Sequence, residues 1–232
     1  MKIKVCQFVY GDLAKPDSWF SKFVEPINRM YCETHGHDYV VDRLDTIRPD
    51  RGGHWEKVPH ILGNLFACDY LFYLDADAVF YNHLFAIEEE LLHRWEPHHL
   101  MMFSTDCAEE CNRWHPYNIN SGVGLFRNMQ ETRDIIAEWD TVTDMPEHEG
   151  TRWSYPSDQA GFNNYILPKY QDRVKLLENY YLMNGFYGTF VRHIFSAFGK
   201  DRYKAFEQIY NSPMMARNRK LAGVVIETIC CL

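Results

Sequence analysis

The chain has 232 residues, 46% of them hydrophobic and 16% aromatic, which is enough material for the core of one sizeable domain but not two. Its 32 acidic and 24 basic residues give a net charge of −8, which argues against nucleic acid as a partner because phosphate backbones are bound by clustered lysine and arginine. A small anionic substrate stays open, since a bound divalent cation can invert the local charge.

Targeting and cysteine patterns predict a cytoplasmic chain. No stretch approaches the roughly 20 apolar residues of a membrane span, and residues 1–10 become polar too soon for a signal peptide. The seven cysteines are odd in number and scattered, which favours free thiols in a reducing compartment. Cys107 and Cys111 with His115 have a spacing that suggests zinc, but without a second cysteine pair an ordinary acidic loop is favoured.

The first 80 residues predict alternating strands and helices. An apolar strand ends at Gly11-Asp12, and Gly36 ends a helix whose apolar residues recur at helical spacing. The run Tyr70-Leu71-Phe72-Tyr73-Leu74 is continuously apolar, which is typical of a central strand covered on both faces. The predicted strands are 2–10, 38–41 and 70–74, the last within the segment 68–80. The predicted helices are 19–32 and 55–66, and a long loop covers 43–54.

The second half continues the alternation of elements. It contains predicted helices over 84–94, 129–140 and 158–167 and predicted strands over 99–103, 122–126 and 174–177. This order favours an α/β layer fold in which a mostly parallel central sheet is flanked by helices. No internal repeat or low-complexity linker interrupts it, so we expect one domain.

The strongest chemical signal is Asp75-Ala76-Asp77, which directly follows the central strand. Ligands of parallel sheets collect outside the carboxyl ends of the strands, and two carboxylates at positions i and i+2 there can reach one cation. Mg²⁺ and Mn²⁺ prefer such oxygen ligands and fill their other positions with diphosphate oxygens and water. The segment therefore predicts a metal site with a DxD motif, and its alternative is an acidic turn in solvent.

Six segments, taken in chain order, carry a family pattern. They are Tyr31-Cys32-Glu33-Thr34-His35-Gly36-His37-Asp38-Tyr39, Trp55-Glu56-Lys57-Val58-Pro59, the DxD strand, Asn118-Ile119-Asn120-Ser121-Gly122-Val123-Gly124-Leu125-Phe126-Arg127-Asn128, Asp158-Gln159 and Phe190-Val191-Arg192-His193. In order and spacing they resemble the retaining GT-A glycosyltransferases, particularly glycosyltransferase family 34 and its relative family 8. The resemblance covers residues 1 to about 205 and implies a Rossmann-like GT-A fold and a glycosyltransferase activity.

The resemblance also implies a set of metal ligands. By position, Asp75, Asp77 and His193 would bind Mn²⁺ or Mg²⁺, and a neutral imidazole beside two carboxylates is a competent ligand set. Without the motif context, His193 would be interpreted as an ordinary half-buried histidine, one of eleven in the chain.

Two lysines would contact the diphosphate of the donor. Lys57 offers a compact positive charge, and its alternative is a solvated lysine on a helix face. Lys200 would do the same from the loop after His193. At this point the chain departs from the family, because Ser196 stands where the family has a glycine and Gly199-Lys200 comes later.

Three polar residues, Asn120, Asp158 and Gln159, would line the sugar and the reaction centre, where their side chains can bind sugar hydroxyls. The implied reaction retains configuration: the acceptor attacks the face that the nucleotide leaves, and the departing phosphate oxygen takes the proton. Asp158 would stabilise the cationic sugar or act as a nucleophile. It is also a candidate N-cap of the helix over 159–167.

The nucleotide base would lie over the end of the first strand. Tyr10 can stack on uracil, and Asp12 can accept a hydrogen bond from the base or the ribose; the alternative for Tyr10 is a place in the core. The implied partners are a nucleotide-sugar donor, with a UDP-sugar favoured, and a glycan acceptor. The loops over 105–117 and 141–157, rich in aromatic residues, would contact the acceptor.

The single domain over 1–232 is expected to divide into a nucleotide-binding half (about 1–80), a sugar and acceptor half (about 81–205) and a C-terminal tail (206–232). In the tail, Arg217, Arg219 and Lys220 stand beside apolar residues. We interpret residues 214–220 as a solvated turn, with weak contact to an anionic membrane surface as the alternative.

Two other functions fit parts of the sequence. A phosphatase of the haloacid-dehalogenase type also has an apolar strand followed by D-x-D-x-[T/V], but its motif usually sits on the first strand, and no Asp-Asp pair follows residue 77 here. A catalytically inactive nucleotide-sugar-binding module is the second alternative. All the expected site residues are present, so nothing in the sequence marks the chain as inactive.

Overall fold

The computed structural model describes residues 1–105, 118–142, 157–177, 179–195 and 201–230, with side chains up to residue 223. The strands are β1 (Ile3–Tyr10), β2 (Asp38–Leu44), β3 (Tyr70–Leu74), β4 (Ala78–Phe80), β5 (Met101–Thr105), β6 (Ile119–Arg127), β7 (Val174–Leu177) and β8 (Val191–His193). The α-helices are α1 (Glu25–His35), α2 (Lys57–Leu65), α3 (Ile87–Glu90), α4 (Gln130–Asp140), α5 (Asp158–Gly161), α6 (Leu167–Tyr170), α7 (Tyr180–Met183), α8 (Arg202–Tyr210) and α9 (Pro213–Cys230).

Six strands form the central sheet in the order β2-β1-β3-β6-β5-β7. Strand β1 runs parallel to β2 and β3, and β5 runs parallel to β7. The predicted mostly parallel sheet flanked by helices is therefore confirmed, with one exception: β6 is antiparallel to both of its neighbours. The sequence did not reveal this direction, because the apolar pattern of a strand is the same whichever way the strand runs.

The reversed direction of β6 brings its first residues to the same sheet edge as the last residues of β3. Leu74 pairs with Val123, and the N–H of Asp75 donates to the carbonyl of Gly122 at 2.7 Å. A second, two-stranded sheet pairs β4 with β8, so that Ala78 lies opposite His193. The residues of the predicted site are thus collected at one edge.

Helices cover both faces of the central sheet. Along β3 the side chains alternate between the faces, as expected for a strand: Leu71 and Tyr73 join the core under α2 and α4, whereas Phe72 and Leu74 join the core under α1 and the β4–β8 sheet. A third apolar cluster lies beyond the end of β1 and includes Phe206 of α8. The completely apolar β3 run is explained by this burial on two sides.

The helices predicted in the first half are confirmed. A π-helical turn (Phe20–Val24) leads into α1, which ends at Gly36 in the left-handed conformation with φ 70°. The N–H of His37 donates to the carbonyl of Cys32 at 2.8 Å and satisfies one of the last carbonyls of the helix. A 3₁₀ turn (Gly53–Glu56) precedes α2, and a π-helical turn (Phe162–Ile166) joins α5 to α6.

Two sequence predictions need correction. The helix expected over 84–94 is only α3 followed by a 3₁₀ turn (Leu92–Arg94). The solvated turn expected over 214–220 is wrong, because these residues belong to α9, which packs on α1 and buries Met215 and Asn218. A polar asparagine on the buried face and three basic residues on the exposed face hid the helical pattern. Within the described ranges, no helix is long and apolar enough to cross a membrane.

The described cysteines Cys6, Cys32 and Cys68 are free and buried, as predicted for reduced thiols. Burial raises the pKa of the Cys68 thiol to about 11. The candidate zinc residues Cys107, Cys111 and His115 lie outside the described residues.

A buried polar network fixes the turn between β3 and β4. The side-chain amide of Gln7 donates to the carbonyl of Asp75 at 2.9 Å and to that of Ala78 at 3.3 Å. Asn28 donates to Gln7 at 2.9 Å and to Ala78 at 3.0 Å, and it accepts from the N–H of Phe80 at 2.9 Å. Because these groups are buried, their hydrogen bonds hold the turn in one conformation.

We expect Asn28→Ala to lower the free energy of unfolding by about 2–3 kcal/mol, because buried groups of Phe80, Ala78 and Gln7 lose a partner. Urea denaturation measures the change. The control is Asn211→Ala at an exposed position, for which we expect a change within about 0.5 kcal/mol. Equal effects of the two substitutions would contradict the structural role of the network.

Candidate metal and nucleotide site

The three side chains predicted to bind a metal lie together at the carboxyl end of β3. Ligand atoms of Asp75, Asp77 and His193 are all within 4.8 Å of one another. Nε2 of His193 is 3.1 Å from Oδ1 of Asp77 and 3.8 Å from Oδ2 of Asp75. The pairing of β8 with β4 carries His193 to this place although it is more than a hundred residues from the aspartates in the sequence.

The space around the three ligands fits a metal ion. A Cβ atom added to Gly122 would lie 2.1 Å from Cε1 of His193 and 2.8 Å from Oδ2 of Asp75. Any larger residue at position 122 would therefore fill the space beside these two side chains. Two carboxylates and one imidazole are also suitable donors for Mn²⁺ or Mg²⁺. The residues present therefore fit the cation that the sequence predicts.

Asp77 also has a cationic partner that sequence reasoning did not find. The guanidinium of Arg202 contacts Oδ2 of Asp77 through Nε at 3.1 Å and through a terminal nitrogen at 3.0 Å. Burial by itself would raise the pKa of Asp77, whereas the guanidinium of Arg202 lowers this pKa and favours the charged carboxylate. Oδ1 of Asp77 faces His193, so the two oxygens serve different partners. Lys200, the predicted residue of this region, lies outside the described residues.

Lys57 is buried, with 3% of its side chain exposed, so the alternative of a solvated helix-face lysine is wrong. Its Nζ lies 3.0 Å from Oδ1 of Asp75 and 3.0 Å from Oδ2 of Asp158. Burial alone would lower the pKa of Lys57, but the charges of Asp158 and Asp75 raise it above its ordinary value. One lysine therefore links a predicted metal ligand to a predicted residue of the reaction centre.

The predicted sugar-binding residues meet around Ser121 at the start of β6. Oγ of Ser121 donates to Oδ2 of Asp158 at 2.7 Å, and its N–H donates to Oε1 of Gln159 at 3.0 Å. Oδ1 of Asn120 accepts from the N–H of Gly122 at 3.0 Å. The structure thus brings Asn120, Asp158 and Gln159 together and adds Ser121, which sequence reasoning did not assign.

Asp158 is the first residue of α5 and not its N-cap. The cap is Ser157, whose Oγ accepts from the N–H of Ala160 at 3.1 Å, so the alternative role for Asp158 is wrong. The carbonyl of Asp158 accepts from Nε1 of the buried Trp139 at 2.9 Å. With its backbone held by α4, the carboxylate of Asp158 is left to pair with Lys57.

An open pocket of about 290 Å³ lies beside the metal ligands. Its lining residues are Phe8, Val9, Tyr10, Leu13, Trp19, Gly53, His54, Asp75, Ala76, Asp77 and Arg202. Tyr10 is 37% exposed, so it is not a core residue, and its ring lies over Gly53. Asp12 is exposed, forms an ion pair with Lys15 at 2.6 Å, and does not belong to this lining.

Tyr73 is another residue of the site that the sequence reasoning missed. Its hydroxyl donates to Oδ1 of Asp75 at 2.7 Å, and burial, together with the charge of Asp75, raises the pKa of Tyr73 well above its usual range. The sequence did contain a signal for this contact: residues i and i+2 of a strand share a face, so Tyr73 is expected on the same side as Asp75. No comparable signal existed for Arg202, whose contact depends on how α8 packs.

Solved structures identify the fold class. A glycosyltransferase involved in the glycosylation of the major capsid of PBCV-1 matches 91% of this chain and 100% of its own, with a TM-score of 0.69 and 14% identity. The glycosyltransferase GlyE of Streptococcus pneumoniae matches 97% of this chain and 64% of its own, with a TM-score of 0.53 and 15% identity. The fold is therefore that of the GT-A glycosyltransferases.

Sequence comparison then gives the family. Residues 15–159 match the model of the galactosyl transferase GMA12/MNN10 family, which is glycosyltransferase family 34, and the chain belongs to this family. Glycosyltransferase 6 of Arabidopsis thaliana is 26% identical over 152 residues, 63% of this chain and 33% of its own. Xyloglucan 6-xylosyltransferase 4 of the same plant is 24% identical over 200 residues, 78% of this chain and 36% of its own. The chain spans about a third of the length of these curated relatives.

We expect Gly122→Ala to lower the free energy of unfolding by about 1–3 kcal/mol, because the added methyl group overlaps His193 and must displace it. Mn²⁺ binding, measured by electron paramagnetic resonance, should weaken in the same variant. The control is Gly63→Ala in α2, where a Cβ meets no atom within 4 Å. This control should gain about 0.4–1 kcal/mol, as is usual for glycine replaced by alanine in a helix. A fully stable Gly122→Ala variant with unchanged Mn²⁺ binding would contradict the described geometry.

We expect Lys57→Met to lower the free energy of unfolding by about 3 kcal/mol, because it leaves the buried carboxylate of Asp158 and the partly buried carboxylate of Asp75 without their shared cation. Chemical denaturation measures the loss. The matched control is Lys15→Met, which breaks an exposed ion pair with Asp12 and should leave stability unchanged. If Lys57→Met behaved like this control, the buried ion pair would not be formed.

Proposed function

We propose that this chain transfers a hexose or pentose from a nucleotide-diphosphate sugar, a UDP-sugar in the first place, to a hydroxyl group of a glycan, with Mn²⁺ or Mg²⁺ as cofactor and with retention of configuration. The observation that carries the proposal is the cluster of Asp75, Asp77 and His193 at the edge of an open pocket. Family membership supports a sugar transfer over the phosphatase alternative.

The proposed sugar of the donor, a hexose or a pentose, is based on the names of the family and of one relative. The family description names galactosyl transferases, which transfer a hexose, and one relative is named a xylosyltransferase, which transfers a pentose.

In our proposal the nucleotide base stacks on the partly exposed ring of Tyr10. Asp12 accepts from the base or the ribose, although its contact with Lys15 has to open first.

The diphosphate is assigned to the cationic side of the pocket. Arg202 lines the pocket beside Asp77, and a guanidinium binds phosphate oxygens in a bidentate manner. We assign Lys200 to the same group of diphosphate-binding residues. Lys57 contributes positive charge beside these residues through its contact with Asp75. Asp75, Asp77 and His193 would hold the metal ion, which, when bound, neutralises the charge of the departing diphosphate.

The reaction centre is assigned to Asn120, Asp158 and Gln159. The bond between the anomeric carbon and the diphosphate oxygen breaks, the acceptor oxygen bonds to that carbon from the same face, and the acceptor proton passes to the departing phosphate oxygen. Asp158 stabilises the cationic sugar. Oδ2 of Asp158 already contacts Lys57 and Ser121, which favours this electrostatic role over nucleophilic attack, because an oxygen held by two donors is less available to bond to the anomeric carbon.

The proposed activity is tested by a screen of UDP-galactose, UDP-xylose, UDP-glucose and GDP-mannose with Mn²⁺, Mg²⁺ or a chelator. We expect metal-dependent release of the nucleotide diphosphate from one UDP-sugar, and its loss in Asp75→Ala/Asp77→Ala, which lacks two of the three proposed ligands. The matched control replaces two exposed aspartates, Asp45→Ala/Asp172→Ala, and should keep full activity.

Each other outcome has a defined meaning. Unchanged activity in the Asp75/Asp77 variant would refute the site. Tight binding of UDP without turnover of any donor, with or without acceptor glycans, would identify the inactive binding module instead. An inverted anomer of the product, observed by NMR, would refute retention.

A further inference from the structure

We propose that Asn184 is a positioning residue for the metal ion: its side-chain oxygen holds the proton of His193 on Nδ1, so that Nε2 presents its lone pair between Asp75 and Asp77. This inference rests on the proposed function, because it concerns the same cation. It adds a residue that neither the sequence motifs nor the family pattern assigned.

Asn184 is the residue that directly follows α7, and its side chain is completely buried. Oδ1 of Asn184 accepts from the backbone N–H of Gly185 at 2.9 Å. The same oxygen lies 3.0 Å from Nδ1 of His193. One carbonyl oxygen therefore faces both a backbone donor and the ring of the proposed ligand.

The orientation of the Asn184 amide follows from the first contact. Oxygen and nitrogen of an asparagine amide are exchanged by a simple flip, so their assignment needs a chemical argument. The N–H of Gly185 can only donate, so the atom that faces it has to be the acceptor oxygen. That oxygen can approach Nδ1 of His193 at 3.0 Å only if Nδ1 carries a proton.

This tautomer determines which nitrogen of His193 can bind a metal ion. In a neutral imidazole with the proton on Nδ1, Nε2 carries a lone pair. Nε2 points at Oδ1 of Asp77 at 3.1 Å and at Oδ2 of Asp75 at 3.8 Å, so three electron-rich atoms converge. Such an arrangement repels itself unless a second proton on Nε2 or a metal ion lies between the atoms. The tautomer held by Asn184 is thus the one that a metal ion requires.

The residue after Asn184 also holds the main chain of His193. The N–H of His193 donates to the carbonyl of Gly185 at 3.1 Å. Gly185 has φ 79°, and a Cβ there would also lie 2.7 Å from the ring of Tyr180, so only glycine suits this turn. The Asn184-Gly185 pair therefore fixes both the ring and the main chain of His193.

A purely structural role explains Asn184 poorly. As the residue after α7, it closes the helix with its backbone N–H, which donates to the carbonyl of Tyr180 and does not need the side chain. Nδ2 of Asn184 is buried and has no hydrogen-bond partner among the described residues. A buried amide nitrogen without a partner destabilises the fold, so a residue chosen for packing alone would be apolar at this place.

The test measures Mn²⁺ affinity by electron paramagnetic resonance of free Mn²⁺, without any assay of activity. We expect Asn184→Leu to bind Mn²⁺ about 10–100-fold more weakly, the usual effect of losing an outer-shell partner of a metal-bound histidine. Asn184→Asp should stay within about threefold of the unmodified chain, because a carboxylate oxygen accepts from the same two N–H groups. Rescue by this conservative variant is not expected of a residue that only packs.

The matched control is Asn218→Leu. Asn218 is equally buried and donates to the carbonyl of Tyr81 at 2.9 Å, but none of its described contacts is with a proposed metal ligand. We expect this control to lower the melting temperature and to leave Mn²⁺ affinity unchanged. A loss of affinity equal to that of Asn184→Leu would show a general effect of destabilisation and would overturn the proposal.

A second measurement needs no variant. Long-range ¹H–¹⁵N NMR spectra of the unmodified chain with Mg²⁺ should show His193 protonated on Nδ1 only. A proton on Nε2 alone, or equal Mn²⁺ affinity in a folded Asn184→Leu variant, would overturn the role of Asn184 while leaving the proposed function intact. Absence of Mn²⁺ and Mg²⁺ binding by the unmodified chain would overturn the metal-dependent function and this inference with it.

Discussion

The turn from Asp75 to Ala78 carries two carboxylates out of an apolar sheet, and the rest of the site depends on how that turn is held. Gln7 and Asn28 bind its carbonyl groups from below, and Gly122 binds the N–H of Asp75 from the side. Buried hydrogen bonds of this kind leave the backbone one conformation, because breaking them leaves polar groups without water or partner. The two carboxylates consequently stand at fixed positions before any ligand arrives.

The charges around the turn follow from that placement. Asp75 pairs with Lys57, Asp77 pairs with Arg202 and His193, and the same Lys57 reaches Asp158. Three carboxylates therefore share two cations, Lys57 and Arg202. The sharing of Lys57 also links a proposed metal ligand to the proposed reaction centre, because Asp75 and Asp158 contact the same buried cation.

The antiparallel strand β6 has a functional consequence as well as a topological one. Ligands of α/β sheets lie at the carboxyl ends of parallel strands. Because β6 runs the other way, its first residues, Asn120 to Gly122, arrive at that same edge and meet Asp158 and Gln159. Solved structures with about 15% identity have a similar overall fold. In the proposed function, the choice of donor and acceptor therefore depends on the side chains around the pocket and not on the sheet.

The amino-acid sequence alone determined the elements and the residue types of the site. Apolar periodicity located the six strands of the central sheet and the helices α1, α2 and α4. Asp75 and Asp77 were recognisable as acids directly after a buried strand, and the order of six segments identified the family. Only the tertiary structure decided that β6 is reversed, that residues 214–220 are helical, that Lys57 points inward, and that Arg202 and Asn184 contact the site. The reason is physical: periodicity records which face of an element is buried. The partner that buries it, and the atom that each polar group meets, depend on packing between residues far apart in the chain.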